Sequence, residues 1–94
     1  MSLEDVAVFV KREPFQPFRV YMSDGSTFDV PHPEFAFLTR RTLIVGVGKA
    51  DAGGRYPDHT RMLALMHINR IEPIALAEAA VDEGRGDGQS GSED

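Results

Sequence analysis

Asp24-Gly25 lies between two short alternating runs, and that arrangement is the strongest hairpin signal in the chain, since both residues tolerate positive φ. In the first run Phe18, Val20 and Met22 fall on one side, with Arg19, Tyr21 and Ser23 on the other. The returning run, Ser26 to Val30, meets Pro31-His32-Pro33. Two prolines so close cannot sit in a central ladder, so the chain must bend or bulge there. The same punctuation continues downstream. Glu34 to Thr39 and Thr42 to Val47 are apolar runs joined by Arg40-Arg41, and Gly46 and Gly48 lead into a loop from Gly48 to Thr60. Arg61 to Ile68 is apolar on both alternating sets, as a strand buried on both faces would be. Asn69-Arg70 suits a tight turn before a short closing strand, Ile71 to Ile74.

Only the start reads as a helix. Ser2-Leu3-Glu4-Asp5 fits a capping pattern, and Leu3, Val6, Phe9 and Val10 follow at helical spacing. Val6, Val8 and Val10 also alternate, so a strand is the competing reading. The cap, with Lys11 and Arg12 suiting the negative end of the dipole, favours the helix. Pro14 ends it at or before Glu13. Ala75 to Val81 has room for two helical turns, and beyond Asp82 there is no apolar residue. Such a segment cannot bury enough surface to offset its ordering entropy. The expectation is a mainly-β domain over residues 1–77, followed by an acidic, Gly/Ser-rich disordered tail over 78–94. One helix before about five strongly bent antiparallel strands is the layout of a small SH3-type or Sm-like barrel. A domain of this size buries only ~60% of its chain surface, so association with copies of itself would add stability.

The net charge of −5 belongs to the tail. Residues 1–77 hold nine Lys and Arg against nine acids, whereas 78–94 hold six acids against Arg85 alone. The global charge therefore excludes no anionic partner for the folded part. No stretch approaches the ~20 apolar residues of a membrane helix. The chain has no cysteine, and its acidic start lacks the basic and apolar regions of a secretory signal, so a cytoplasmic location is expected.

Catalytic patterns are missing. There is no thiol and no Gly-x-Ser-x-Gly elbow, and Ala50 stands after Lys49 where a phosphate loop needs Ser or Thr. His32, His59 and His67 have no i, i+2 or i, i+4 partner, so no metal or cofactor is expected. Gly46 and Gly48 read as relief for a strongly bent strand. Arg40 and Arg41 at a loop tip, with Lys49 and Arg55, are the candidates for phosphate contact, against the plain reading of a solvated turn. Phe35 and Phe37 share a side if Glu34–Thr39 is a strand, which makes one or both core residues and an exposed stacking ring the rival reading.

Two resemblances bear on function. The stretch from Ser2-Leu3-Glu4-Asp5 through Pro17-Phe18-Arg19-Val20-Tyr21-Met22-Ser23-Asp24-Gly25 resembles the opening of the Hfq family of bacterial Sm-like RNA chaperones. Glu34-Phe35-Ala36-Phe37-Leu38 resembles its middle strand, and Met66-His67-Ile68 its late Lys-His strand end. The resemblance implies a homo-oligomeric ring of five to seven copies and a uridine site at the pore. The family's Gln, Gln-Phe and Lys-His positions fall here on Glu4, Glu34-Phe35 and Met66-His67, so only Phe35 and His67 keep the type. Two amides have become carboxylates and the lysine is gone. RNA, if bound, is then expected on Arg40, Arg41 and Lys49 and not in a uridine pore. The chain is closer still to small uncharacterised bacterial proteins carrying Pro-Phe-x-Pro-Phe-Arg, Asp-Gly and His-Pro-Glu, a likeness that brings no function with it. The expected role is a non-catalytic, oligomeric binding or scaffolding module, with RNA the first ligand to test. The rival is a protein–protein adaptor whose exposed strand edge pairs with a partner.

Overall fold

The computed structural model describes residues 1–48, Gly53 and residues 56–79. Lys49, Arg55 and the tail from residue 80 lie outside the described residues, so the expectations placed on them stay there. Ser2 caps helix α1 (Leu3–Val10), its hydroxyl accepting from the Asp5 amide at 3.1 Å. The Lys11 amide closes the last turn on the Ala7 carbonyl. Arg12 lies past the helix end, with its guanidinium 5.3 Å from the centre of the Phe9 ring. The helix sends Val6 into the core.

Among the described residues six strands follow, arranged as two three-stranded antiparallel sheets. In the first sheet β1 (Phe18–Met22) runs between β2 (Thr27–Val30) and β6 (Ile68–Pro73). In the second, β4 (Thr42–Val47) runs between β3 (Ala36–Leu38) and β5 (His59–Ala64). The Pro31-His32-Pro33 bend is a 3-10 turn over Pro33–Phe35 that carries the chain from one sheet to the other. A second 3-10 turn, Leu65–His67, returns it from β5 to β6. Val6, Phe18, Val20, Val30, Leu43 and Val45 are fully buried, so helix and both sheets share one apolar core. No helix among the described residues is long and apolar enough to cross a membrane.

Several expectations need correction. The Asp24-Gly25 hairpin is real, but Phe18 pairs with Val30, Tyr21 with Thr27, and the Met22 amide donates to the Ser26 carbonyl, which leaves three residues in the loop. In that loop it is Gly25 that has positive φ, at 93°. Asp24 instead fixes the turn with its carboxylate, which accepts from the Ser26 amide and hydroxyl at 2.9 and 2.6 Å. Glu34–Thr39 is a strand only from Ala36, because Pro33 at the first turn position favours a 3-10 start. Arg61–Ile68 is not one strand buried on both faces: β5 ends at Ala64, and its residues 59 to 62 are all exposed. Asn69 and Arg70 lie inside β6 instead of in a turn. A short 3-10 turn, Leu76–Glu78, stands where the two helical turns were expected to begin. Gly46 in β4 and Gly48 just after it serve close approach. A Cβ on Gly46 would stand 2.8 Å from Pro57 Cβ and 3.3 Å from Phe35 Cδ2. Gly48 has φ +86°, and a Cβ there would meet Asp58 at 2.8 Å.

Candidate functional site

Strand pairing gives the two sheets outer faces of opposite chemistry. On the first sheet Arg19 of β1 lies between Asp29 of β2 and Glu72 of β6, with Tyr21 opposite Arg70 one step along that face. Arg19 grips Asp29 with both ends of its guanidinium, Nε to Oδ1 at 2.7 Å and Nη2 to Oδ2 at 2.9 Å. Arg70 donates to Glu72 at 2.8 Å and lies 3.8 Å from the Tyr21 ring centre, while the Tyr21 hydroxyl donates to Glu72 at 3.2 Å. These charges satisfy one another. A face so paired offers little to an incoming ion.

The pairing shows in the acids. The Arg70 hydrogen bond, helped by Tyr21, holds the Glu72 carboxyl below its ordinary 4.5. The Ser26 hydroxyl and amide hold Asp24 below 3.8. A depressed carboxyl contributes stability above its unfolded pKa and loses it as pH falls through the folded one. The melting temperature is therefore expected to hold from pH 7 to 5 and to fall below about pH 4. Ser26→Ala should flatten that acid limb in calorimetric scans, and an unchanged limb would count against the Asp24 contribution.

The second sheet presents apolar side chains outward. Phe37 of β3, Ile44 of β4 and Met62 of β5 lie directly across from one another, one per strand. Phe37 is 67% exposed and Met62 70%, whereas Leu43 and Leu63, one position along, face the core. The row ends at β5, which has no further neighbour among the described residues. Which backbone groups face that open edge follows from two hydrogen bonds. The Leu65 amide donates to the Arg41 carbonyl at 2.9 Å, and the Thr39 amide to the Thr42 carbonyl at 2.8 Å. Alternation along the observed register then turns Leu43, Val45 and Val47 toward β5 and Leu63, Arg61 and His59 toward β4. The amides and carbonyls of Thr60, Met62 and Ala64 are left pointing out of the sheet edge.

A third surface lies at one end of the molecule. The Arg41 carbonyl accepts from Leu65, which opens the 3-10 turn holding exposed Met66 and His67. The β1–β2 loop reaches the same turn, its Ser23 amide and hydroxyl donating to the His67 carbonyl at 2.8 and 2.9 Å. The Met1 ammonium donates to the Leu65 carbonyl at 2.9 Å. Arg40 and Arg41 are exposed and have no side-chain partner among the described residues.

Of the five residues singled out from sequence, Arg41 is tied through its carbonyl to the turn that holds His67, and Arg40 precedes it in the same loop. Phe35 does not join them. It is 3% exposed, packed against His32 with ring centres 5.6 Å apart and lying over Gly46 at the far end of β3. Lys49 lies outside the described residues. His59 stands apart beside Asp58, with Nδ1 3.6 Å from Oδ2. Sequence reasoning passed over Ile44 and Met62. Their signal was the pairing register, which an unbroken apolar run from Arg61 to Ile68 conceals. Comparison with protein-family models, curated proteins and solved structures returned no match.

Proposed function

We propose that this chain is a non-catalytic interaction module on an SH3-type, Sm-like barrel, and that it acts by accepting a strand on the free edge of β5. The fold reading draws support from strand order. From β6 the order runs through β1 and β2 into the Pro33–Phe35 bend and on through β3, β4 and β5, with antiparallel pairing throughout. The observation that carries the functional reading is the Phe37–Ile44–Met62 row ending on an unpaired edge. Edge amides and carbonyls give affinity to an added strand, and the apolar row gives it a side-chain preference. Homo-oligomers are the expected form, as the Sm-like resemblance also implies.

Thr60→Pro tests this directly. The Thr60 amide faces the open edge, so proline removes a donor there and spares the β4–β5 ladder. Light scattering coupled to size exclusion should show the full chain associating and Thr60→Pro dissociated, with circular dichroism unchanged. Association untouched by Thr60→Pro would overturn the reading.

RNA binding is a second reading, favoured by the exposed Arg40-Arg41 loop, whose Arg41 carbonyl bonds to the turn that holds His67. A uridine hexamer and an adenine-rich RNA at ~100 mM salt would show it by fluorescence anisotropy. Binding by the Thr60→Pro monomer that is lost with Arg40→Ala and Arg41→Ala would favour RNA over strand addition.

A further inference from the structure

We infer that the strand received by β5 is β5 of a second copy, paired antiparallel about a two-fold axis through Met62. The inference rests on the strand-addition reading above and fixes its partner and register. A two-fold axis normal to the sheet keeps outer face beside outer face, so the pairing must be centred on a residue and not between two. Within β5 four centres give at least three facing pairs: Thr60, Arg61, Met62 and Leu63. Centring on Arg61 sets the two Arg61 guanidinium groups directly opposite each other, a like-charge pair that destabilises a ladder. Centring on Thr60 or on Leu63 leaves only three residues of each β5 in the overlap. Centring on Met62 does neither.

The Met62 register also uses every group the edge offers. Thr60 faces the partner's Ala64, Met62 faces the partner's Met62, and Ala64 faces the partner's Thr60. These are the residues whose amides and carbonyls point out of the edge, so each pair can exchange two hydrogen bonds. On the inner face Arg61 comes opposite the partner's Leu63, away from its own copy. The apolar row then runs unbroken across six strands, from Phe37 through Met62 to the partner's Phe37. Area argues for the edge as well. Phe37, Ile44 and Met62 expose only about 300 Å² together, at ~200 Å² per large side chain. A stable interface needs ~800 Å² per partner. The side-chain face is too small to hold two copies without the ladder, and even with it the dimer belongs among weak, concentration-dependent assemblies. Pairing of this kind is isologous and closes at two copies, unlike a ring of five to seven.

The chain has no cysteine, which makes cross-linking clean. In this register the Met62 Cα atoms of two copies lie ~5.5 Å apart, within the ~4.4–6.8 Å span of a disulfide. The two Thr60 positions lie four residues apart along the strands, ~13 Å. Mild oxidation of Met62→Cys should give a covalent dimer at least five times more abundantly than Thr60→Cys. Should Met62→Cys itself weaken the row, an equimolar mixture of Thr60→Cys and Ala64→Cys should cross-link where neither does alone. Met62→Lys should raise the dissociation constant at least tenfold without lowering the melting temperature. Association that Thr60→Pro abolishes, but with no Met62 cross-link and the mass of a ring, would overturn this register and leave strand addition standing. Association indifferent to Thr60→Pro would overturn both.

Discussion

Phe18→Ala is expected to lower the melting temperature by roughly 12–40 °C. Phe18 is fully buried in the strand that anchors the first sheet, pairing with Val30 on one side and Pro73 on the other. Its ring lies 5.9 Å from those of Phe9 and Phe15, so it ties α1 and the connector to the sheet. Truncating such a ring removes its transfer free energy and leaves a cavity that three elements must relax to fill, about 3–5 kcal/mol. A domain this small shifts by ~4–8 °C per kcal/mol, which gives the range. Phe37→Ala supplies the contrast. The same side chain, two-thirds exposed on the outer face, should change stability by less than ~0.5 kcal/mol while weakening self-association. Thermal melts followed by circular dichroism would decide it. A loss at Phe37 as large as that at Phe18 would mean that the outer row is part of the core.

What could be read from the sequence was local, and what could not depended on the phase between elements. The helix cap, the hairpin and the proline bend each rest on residues within a few positions of one another, and each stands in the structure. The errors came where a turn of unread length reset the alternation. A two-residue Asp24-Gly25 turn would have put Arg19 opposite Val30, whereas the three-residue loop puts it opposite Asp29. Phe35 and Phe37 share a side only in an unbroken strand. The Pro33–Phe35 turn rotates Phe35 inward and leaves Phe37 outside. The Leu65–His67 turn does the same between Leu65 and Ile68, which an unbroken strand would place on opposite faces and which are both buried. Three-residue 3-10 turns leave little trace in hydropathy, since their residues are as apolar as the strands they interrupt. The apolar row shares this cause, because it exists only once three registers are known together.

Arg19→Met is expected to cost about 2–3 kcal/mol, and adding Asp29→Leu should recover most of it. The Asp29 side chain is only 4% exposed, while Arg19 is 30% exposed. The acid is therefore the buried member and the guanidinium its link to solvent. Removing the arginine deletes two charge-assisted hydrogen bonds and takes the cation away from a nearly buried carboxylate, a change that in a fully buried pair costs about 3–5 kcal/mol. The figure is smaller here because Arg19 is partly solvated, and its bond to the Glu78 carbonyl at 3.2 Å is exposed and adds little. Replacing both partners removes the nearly buried negative charge as well and sets two apolar side chains across the β1–β2 ladder, where cross-strand contact is favourable. Urea titrations of the single and double variants, with m-values compared to confirm a common unfolding transition, would measure the recovery. A double variant as unstable as Arg19→Met would show that the loss arises from the arginine's own packing over β1 and not from the carboxylate left beneath it.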